Sequence, residues 1–151
     1  LNESVASAVR SAQPNALRGE VRVVANLGDE PLNVTADPVR IGQAVDNLLS
    51  NAIKFTPSGG EVVVGARPLD DAVEVWVRDT GLGIPKDEQD KLFTRFFRAS
   101  TATRNAVPGI GLGLTIIRAI VLAHGGTMSM TSGEGEGTEF RVTVPRVAVA
   151  R

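Results

Sequence analysis

The spacing of apolar residues along the chain predicts four helices. They cover residues 3–13, 38–55, 87–93 and 112–123. The first helix is expected to end at Pro14, because proline breaks a helix interior. The second begins at Asp37 and Pro38, an aspartate that can cap the first turn and a proline that fits within it. We expect this helix to pack on the core through one apolar face. That face consists of Ile41, Ala44, Val45, Leu48, Ala52 and Phe55.

Alternating apolar and polar residues predict six short strands. They cover residues 21–24, 32–35, 61–67, 72–78, 127–131 and 139–144. The first two are separated by residues 28–31 (GDEP), a spacing that is typical of a β-hairpin. Helices mixed with adjacent strand pairs predict one domain over residues 1–151. Its expected fold class is an α/β (α+β) two-layer sandwich, in which helices cover one face of a mixed, mostly antiparallel sheet.

Composition and charge exclude several classes of function. Lysine plus arginine number 16 and aspartate plus glutamate 17, so no general field attracts nucleic acid or an anionic membrane. The absence of cysteine excludes a disulfide scaffold and a thiolate metal site, and it fits a reducing cytoplasm. The chain starts with Leu1 and has no apolar run long enough to cross a membrane, so we interpret it as a fragment.

Three polar residues form a line along the second predicted helix. Asn47, Asn51 and Lys54 follow one another at helical spacing, beside the apolar face. Amide oxygens suit Mg²⁺, and an ammonium group suits phosphate. A solvated helix face has the same appearance, so these residues alone leave both interpretations open.

A candidate ligand-binding carboxylate ends the fourth predicted strand. The alternation that turns Val75 and Val77 inward also turns Asp79 inward, and a buried carboxylate needs hydrogen-bond donors. The amino group of adenine is one such donor, and Gly81 and Gly83 leave room for a flat base. The alternative is that Asp79 only caps the following turn.

Glycines at residues 109–113 (GIGLG) lead directly into the last predicted helix. Free amides at a helix start can bind phosphate, but the same glycines can form a hinge. Residues 94–108 lack periodicity and are long enough to form a lid. Arg95, Arg98 and Arg104 in this segment either contact phosphate or keep the segment soluble.

The single histidine, His124, is a candidate catalytic residue by its type alone. It lies at the end of the last predicted helix, before two glycines. An imidazole there complements the helix dipole, and Gly125 can adopt the left-handed cap conformation. We therefore predict a structural role for His124.

These motifs, in this order, resemble the ATP-binding catalytic domain of bacterial sensor histidine kinases, in the superfamily that includes gyrase, Hsp90 and MutL. Residues 46–57 (DNLLSNAIKFTP) are similar to the N box, and residues 79–85 (DTGLGIP) to the first glycine box. Residues 92–98 (LFTRFFR) are similar to the F box. Residues 109–114 (GIGLGL) resemble the second glycine box, and residues 137–140 (GTEF) the closing GTxF motif.

The resemblance implies a Bergerat-type fold that binds ATP and Mg²⁺, with a mobile lid at about residues 94–110. It implies that Asn51, assisted by Asn47, binds Mg²⁺ and that Lys54 contacts phosphate. It also implies that Asp79 binds the adenine amino group, while Thr138 supports the base through water. The remaining residues that it implies for ATP binding are Gly81, Gly83, Arg98, Gly109, Gly111, Leu112 and Gly113.

One position separates the kinases of this superfamily from its hydrolases. The hydrolases have a glutamate four residues before the Mg²⁺ asparagine, and here that residue is Asn47, whose amide cannot accept a proton from water. The chain also lacks the family's phosphoacceptor motif, so the resemblance implies transfer to a histidine on a separate dimerisation domain and relay to a response regulator.

Several expectations follow for the isolated chain. We expect a monomer that binds ATP without phosphorylating itself, contacts neither nucleic acid nor membrane, and belongs to the cytoplasmic part of a membrane-anchored kinase. A self-contained ATP hydrolase, an anti-sigma-type serine kinase and a scaffold that binds no nucleotide remain as alternatives.

Overall fold

A five-stranded mixed sheet carries the helices on one of its faces. The computed structural model describes residues 1–28, 32, 34, 36–91 and 113–146. The helices in this part are α1 (Asn2–Arg18), α2 (Pro38–Phe55), α3 (Gly113–Ala123) and a short 3-10 helix (Lys86–Lys91). The strands are β1 (Arg22–Asn26), β2 (Glu61–Pro68), β3 (Ala72–Asp79), β4 (Thr127–Ser132) and β5 (Thr138–Pro145).

The order of strands across the sheet is β1-β2-β3-β5-β4. Only β1 and β2 pair in parallel, and every other pair is antiparallel. The inward face of the central strands is apolar and fully buried beneath the helices. Its residues include Val62, Val64, Val73, Val75, Val77, Val142 and Val144. The predicted two-layer sandwich, with a mixed and mostly antiparallel sheet, is confirmed.

Helix α2 forms as its sequence predicts. The Asp37 side chain accepts a hydrogen bond from the Val39 amide at 2.9 Å, and Pro38 occupies the first turn. The predicted apolar residues are buried apart from Phe55, which is half-buried. Leu49 and Ile53 are also buried and widen the apolar face, so α2 contacts the sheet, α1 and α3 together.

The prediction that the first helix ends at Pro14 is wrong. Helix α1 continues through Pro14 to Arg18. Proline removes one backbone donor, but the last turn packs on the core through Ala16, which is 1% exposed. The amide of Val21 then donates to the Ala16 carbonyl at 2.9 Å, so the chain stays attached to the helix end.

The hairpin predicted from residues 21–24 and 32–35 is also wrong. Strand β1 pairs in parallel with β2, and Val34 instead forms a single antiparallel bridge with Arg146. Alternation of apolar and polar residues identifies which residues of a strand point inward, but it does not identify the neighbouring strand. The turn residues between the two segments suggested that they pair with each other, which they do not.

The segment before the last helix is only partly described. The short helix predicted over residues 87–93 is the 3-10 helix, which ends at Lys91. The segment predicted to form a lid lies outside the described residues. Within the described part, no helix is long and apolar enough to cross a membrane.

Candidate functional site

Asp79, the last residue of β3, is a buried carboxylate with one oxygen left over. Its side chain Oδ1 accepts hydrogen bonds from the Gly81 amide at 2.9 Å and the Thr138 amide at 3.2 Å. Among the described residues, Oδ2 has no partner. Burial raises the pKa of Asp79 to about 6, against the lowering effect of the two amides. At neutral pH the group is therefore mostly ionised and offers a strong acceptor.

Both interpretations of Asp79 from the sequence have a counterpart in the geometry. The bond from the amide two residues later, that of Gly81, is the expected turn cap. The bond from Thr138 is not part of that turn, because Thr138 is the partner of Asp79 across β3 and β5. Two separate parts of the chain therefore hold the carboxylate in place, whereas a turn cap needs only the Gly81 amide.

The loop that follows Asp79, residues 80–85, contacts the end of α2. The Leu82 amide donates to the Phe55 carbonyl at 3.0 Å, and a Cβ at Gly81 would lie 2.3 Å from the same oxygen. Gly83 has a φ of +71°, and its Cβ would lie 1.8 Å from the Gly133 carbonyl oxygen. The sequence suggested that these glycines leave room for a flat base. In the structure, protein backbone occupies the space that a side chain at either position would need.

The polar line on α2 has no partners among the described residues. Asn47 and Asn51 are half-buried and Lys54 is exposed, and none of the three side chains forms a hydrogen bond or ion pair there. Two amide oxygens and one ammonium group are therefore available to a ligand. This donor set fits Mg²⁺ with phosphate, because Mg²⁺ prefers hard oxygen ligands. No cluster of three or more histidine, cysteine, aspartate or glutamate residues occurs in the described part.

Two residues that the sequence did not indicate, Ser132 and Gln89, join the elements that surround Asp79 and Thr138. Ser132 ends β4, and its hydroxyl contacts the Thr138 hydroxyl at 2.8 Å. The Gln89 side chain donates to the carbonyls of Ile84 and Ser132, at 3.1 and 2.9 Å. Their only sequence signal is that each lies close to a recognisable motif.

The structure brings together only part of the predicted site. Asp79, Gly81, Gly83 and Thr138 surround the end of β3, next to the end of α2. Gly113 is the first residue of α3. Apart from the three polar residues of α2, the other residues predicted to bind ATP lie outside the described residues. They are Arg98, Gly109, Gly111 and Leu112.

His124 is a structural residue, as predicted. Its Nδ1 lies 2.8 Å from the Ile120 carbonyl, and the Asp37 amide donates to its Nε2 at 3.2 Å. An N–H group can only donate, so Nε2 is the acceptor of the Asp37 amide and Nδ1 donates to the Ile120 carbonyl. Gly125 follows with a φ of +74°. His124 therefore joins the end of α3 to the beginning of α2.

A helix-covered mixed sheet, with a strand-end aspartate beside a helix that bears two asparagines and a lysine, defines a nucleotide-binding domain of the two-layer type. A model of the family described as "Histidine kinase-, DNA gyrase B-, and HSP90-like ATPase" matches residues 36–148. The chain belongs to this family.

Within this family, the chain is similar to sensor histidine kinases. The sensor histidine kinase WalK of Bacillus subtilis (strain 168) is 39% identical over 127 residues, 83% of this chain and 21% of WalK. The sensor-like histidine kinase SenX3 of Mycolicibacterium smegmatis is 40% identical over 119 residues, 79% of this chain and 29% of SenX3. This chain thus spans 21% and 29% of the length of these two relatives.

Similar folds are found in solved histidine kinases. The mycobacterial sensor histidine kinase MprB is 33% identical with a TM-score of 0.82, covering 95% of this chain and 94% of that one. The catalytic domain of ThkA is 30% identical with a TM-score of 0.83, covering 97% and 92%. A structure of ThkA with the response regulator protein TrrA is 27% identical with a TM-score of 0.79, covering 97% and 40%. The resemblance to the catalytic domain of sensor histidine kinases is confirmed.

Proposed function

We propose that this chain binds Mg-ATP and donates the γ-phosphoryl group to a histidine on a separate dimerisation domain of the same kinase, for relay to a response regulator. The observation that carries the ATP-binding half of this proposal is the Asp79 carboxylate. It is 7% exposed, ionised at neutral pH and left with one unpartnered oxygen among the described residues. The amino group of adenine is a donor that matches this acceptor.

The residues of α2 supply the phosphate end of the proposed site. Asn51, assisted by Asn47, would hold Mg²⁺, and Lys54 would contact the phosphates. The ion neutralises phosphate charge during transfer. Helix α2 ends where the Leu82 amide binds the Phe55 carbonyl, so its last turns lie beside the loop that follows Asp79. We further propose that Arg98, Gly109, Gly111, Leu112 and Gly113 complete the phosphate site as part of a lid.

A nucleophile from another domain fits the residues that this chain provides. Asn47 has an amide where a hydrolase needs a base, whereas an imidazole nitrogen can attack without one here. His124 is poorly placed to be that nucleophile. It binds the amide of Asp37 at the start of α2, while Lys54 is 17 residues further on, about 25 Å along the helix axis.

The partners in this proposal come from the relatives. ThkA is a histidine kinase that has been solved with a response regulator protein, and we propose the same kind of partner for this chain. We also propose that the chain acts in the cytoplasm as part of a membrane-anchored sensor kinase, and that it is monomeric when isolated.

Transfer of a radiolabel tests the proposal. The chain is incubated with γ-labelled Mg-ATP, with and without the histidine-bearing dimerisation domain of its own kinase. We expect label on that domain's histidine and none on this chain. The bond between the phosphoryl group and the histidine should be labile in acid. Label that is stable in acid would instead indicate phosphoserine and hence a serine kinase. Stable label on this chain alone would contradict the proposal.

One observation keeps hydrolysis as a second candidate. Asp46 and Asn47 both line a cavity of about 590 Å³ between α1 and α2, and burial raises the pKa of Asp46. This carboxylate lies in the middle of α2, directly before Asn47, and is the candidate base for hydrolysis. If wild type releases free phosphate without the dimerisation domain and Asp46→Asn abolishes the release, the chain is a hydrolase. Release that is absent, or unaffected by Asp46→Asn, excludes Asp46 as the base.

A further inference from the structure

Ser132 is held in place from three sides at the end of β4. Its hydroxyl accepts a hydrogen bond from the Ile84 amide at 2.9 Å, and its backbone carbonyl accepts one from Gln89 at 2.9 Å. Its hydroxyl also lies 2.9 Å from the Gly137 carbonyl and 2.8 Å from the Thr138 hydroxyl. These contacts join the loop after β3, the 3-10 helix and the turn before β5 through one residue.

The direction of each hydrogen bond follows from the number of protons. Ser132 has one hydroxyl proton, and the Gly137 carbonyl can only accept, so that proton is donated to Gly137. The contact between the two hydroxyls then requires Thr138 to donate to Ser132. The Thr138 proton is therefore directed away from the neighbouring carboxylate, and its oxygen remains only as an acceptor.

This direction matters because Thr138 is next to Asp79. The Thr138 amide donates to the carboxylate of Asp79, and Thr138 is only 7% exposed. Without Ser132 as its acceptor, the Thr138 proton would be free to turn towards another acceptor, either the Asp79 carboxylate or a bound base. The first would occupy the acceptor that the adenine amino group needs. The second would favour a base with a carbonyl at that position.

We propose that Ser132 is a positioning residue for base selection. Because Ser132 accepts the Thr138 proton, the side chains at the base-binding end of the site present only hydrogen-bond acceptors to the base. It thereby favours a base that carries an amino group over one that carries a carbonyl. The inference rests on the proposed binding of ATP. Ser132 acts through Thr138 and makes no contact with the base itself.

The test compares ATP with inosine triphosphate, which differs from ATP by a carbonyl in place of the amino group. Dissociation constants of both are measured by calorimetry for wild type, Ser132→Ala and the control Ser129→Ala, an exposed serine of the same strand. Wild type and Ser129→Ala should prefer ATP equally. Ser132→Ala should lose about tenfold of that preference, the size expected when a hydrogen bond to a charged group is disturbed.

A double-mutant cycle separates positioning from general damage to the fold. In a Thr138→Val background there is no proton to direct, so Ser132→Ala should leave the ATP preference unchanged. Ser132→Cys retains a weaker donor and acceptor, should give an intermediate preference, and replaces the alanine variant if thermal melting shows that the latter is unfolded.

Three results would contradict different parts of the proposal. A wild-type chain that binds neither nucleotide overturns the proposed function. A wild-type chain that prefers ATP, with the same preference in Ser132→Ala and Ser132→Cys, overturns only the role of Ser132. An equal loss of preference in the presence and absence of the Thr138 hydroxyl also refutes the positioning mechanism.

Discussion

Replacing Asp79 with asparagine should stabilise the ligand-free protein above neutral pH and weaken its binding of ATP. Asparagine keeps an oxygen for the two amides that now bind Oδ1. It removes the buried negative charge, and it places the side-chain amide NH₂ group, a hydrogen-bond donor, where Oδ2 was. The variant therefore removes the free-energy cost of burying a charge, and it also removes the acceptor that we propose for the adenine amino group.

The pKa of Asp79 sets the size of the effect on folding. Burial raises it from 3.8 to about 6, a shift of about two units, which corresponds to roughly 3 kcal/mol against the ionised form. The new amino group of asparagine has no partner among the described residues, and a buried donor without a partner costs about 1–3 kcal/mol. We therefore expect a net stabilisation at pH 8 on the order of 1 kcal/mol.

The dependence on pH gives a sharper test than the size. Because the pKa is higher in the folded state, the folded protein binds this proton more tightly than the unfolded chain does. Wild type therefore gains stability from Asp79 as the pH falls through about 6 towards 3.8, and it loses that gain as the pH rises. The asparagine variant has no such term, so its advantage should shrink by about 1.4 kcal/mol between pH 8 and pH 5.

Urea denaturation of both proteins at pH 8 and pH 5 measures this difference, with the fluorescence of Trp76, the only tryptophan, as the probe. Asp70→Asn, in the exposed turn between β2 and β3, is the control for removing a carboxylate from the surface. Equal advantages of Asp79→Asn at the two pH values would refute the reasoning from burial. Calorimetry at pH 8 should show ATP binding weakened about ten- to a hundredfold.

Three further substitutions test other parts of the site and fold. Lys54→Ala should weaken ATP binding more than adenosine binding, since Lys54 is assigned to phosphate; equal losses in a titration would remove that assignment. His124→Ala should lower the free energy of unfolding by about 1–2 kcal/mol without changing ATP affinity, because its hydrogen bonds to the Ile120 carbonyl of α3 and from the Asp37 amide at the start of α2 are lost. Gly83→Ala should cost about 3 kcal/mol or more in urea denaturation, because its Cβ would lie 1.8 Å from a carbonyl oxygen. Gly135→Ala, with a similar φ of +78° but open space around it, should cost only about 1 kcal/mol; similar losses at both glycines would show that φ and not the contact decides.

Local patterns in the sequence were sufficient to predict most of the fold. The period of apolar residues placed α2 and the central strands, and the alternation along β3 predicted that Asp79 points inward. The failures concern what a local pattern does not contain. A proline inside α1 is tolerated because Ala16 packs on the core, and the neighbour of β1 is a strand that begins 35 residues beyond the β1 end, at Glu61.

The hydrogen-bond network around the carboxylate was beyond the sequence for the same reason. Asp79 and Thr138 are 59 residues apart in the chain, and Gln89 and Ser132 are 43 apart. A serine at a strand end and a glutamine in a short helix are common, and nothing in their spacing shows that they meet. Motif resemblance predicted Asp79 and Thr138 as site residues, but only the folded chain shows the hydrogen bond between them.

The Asp79 oxygen that has no partner among the described residues also predicts a link between ligand binding and folding in this domain. An ionised carboxylate in a buried position lowers the stability of the ligand-free protein, as the raised pKa shows. A ligand that donates a hydrogen bond to Oδ2 favours the ionised form and binds only the folded chain. ATP should therefore raise the melting temperature of wild type, and the rise should diminish as the pH falls below about 6, where Asp79 gains its proton. In Asp79→Asn the rise should be smaller and should lose this part of its pH dependence, because the acceptor that couples binding to protonation is gone.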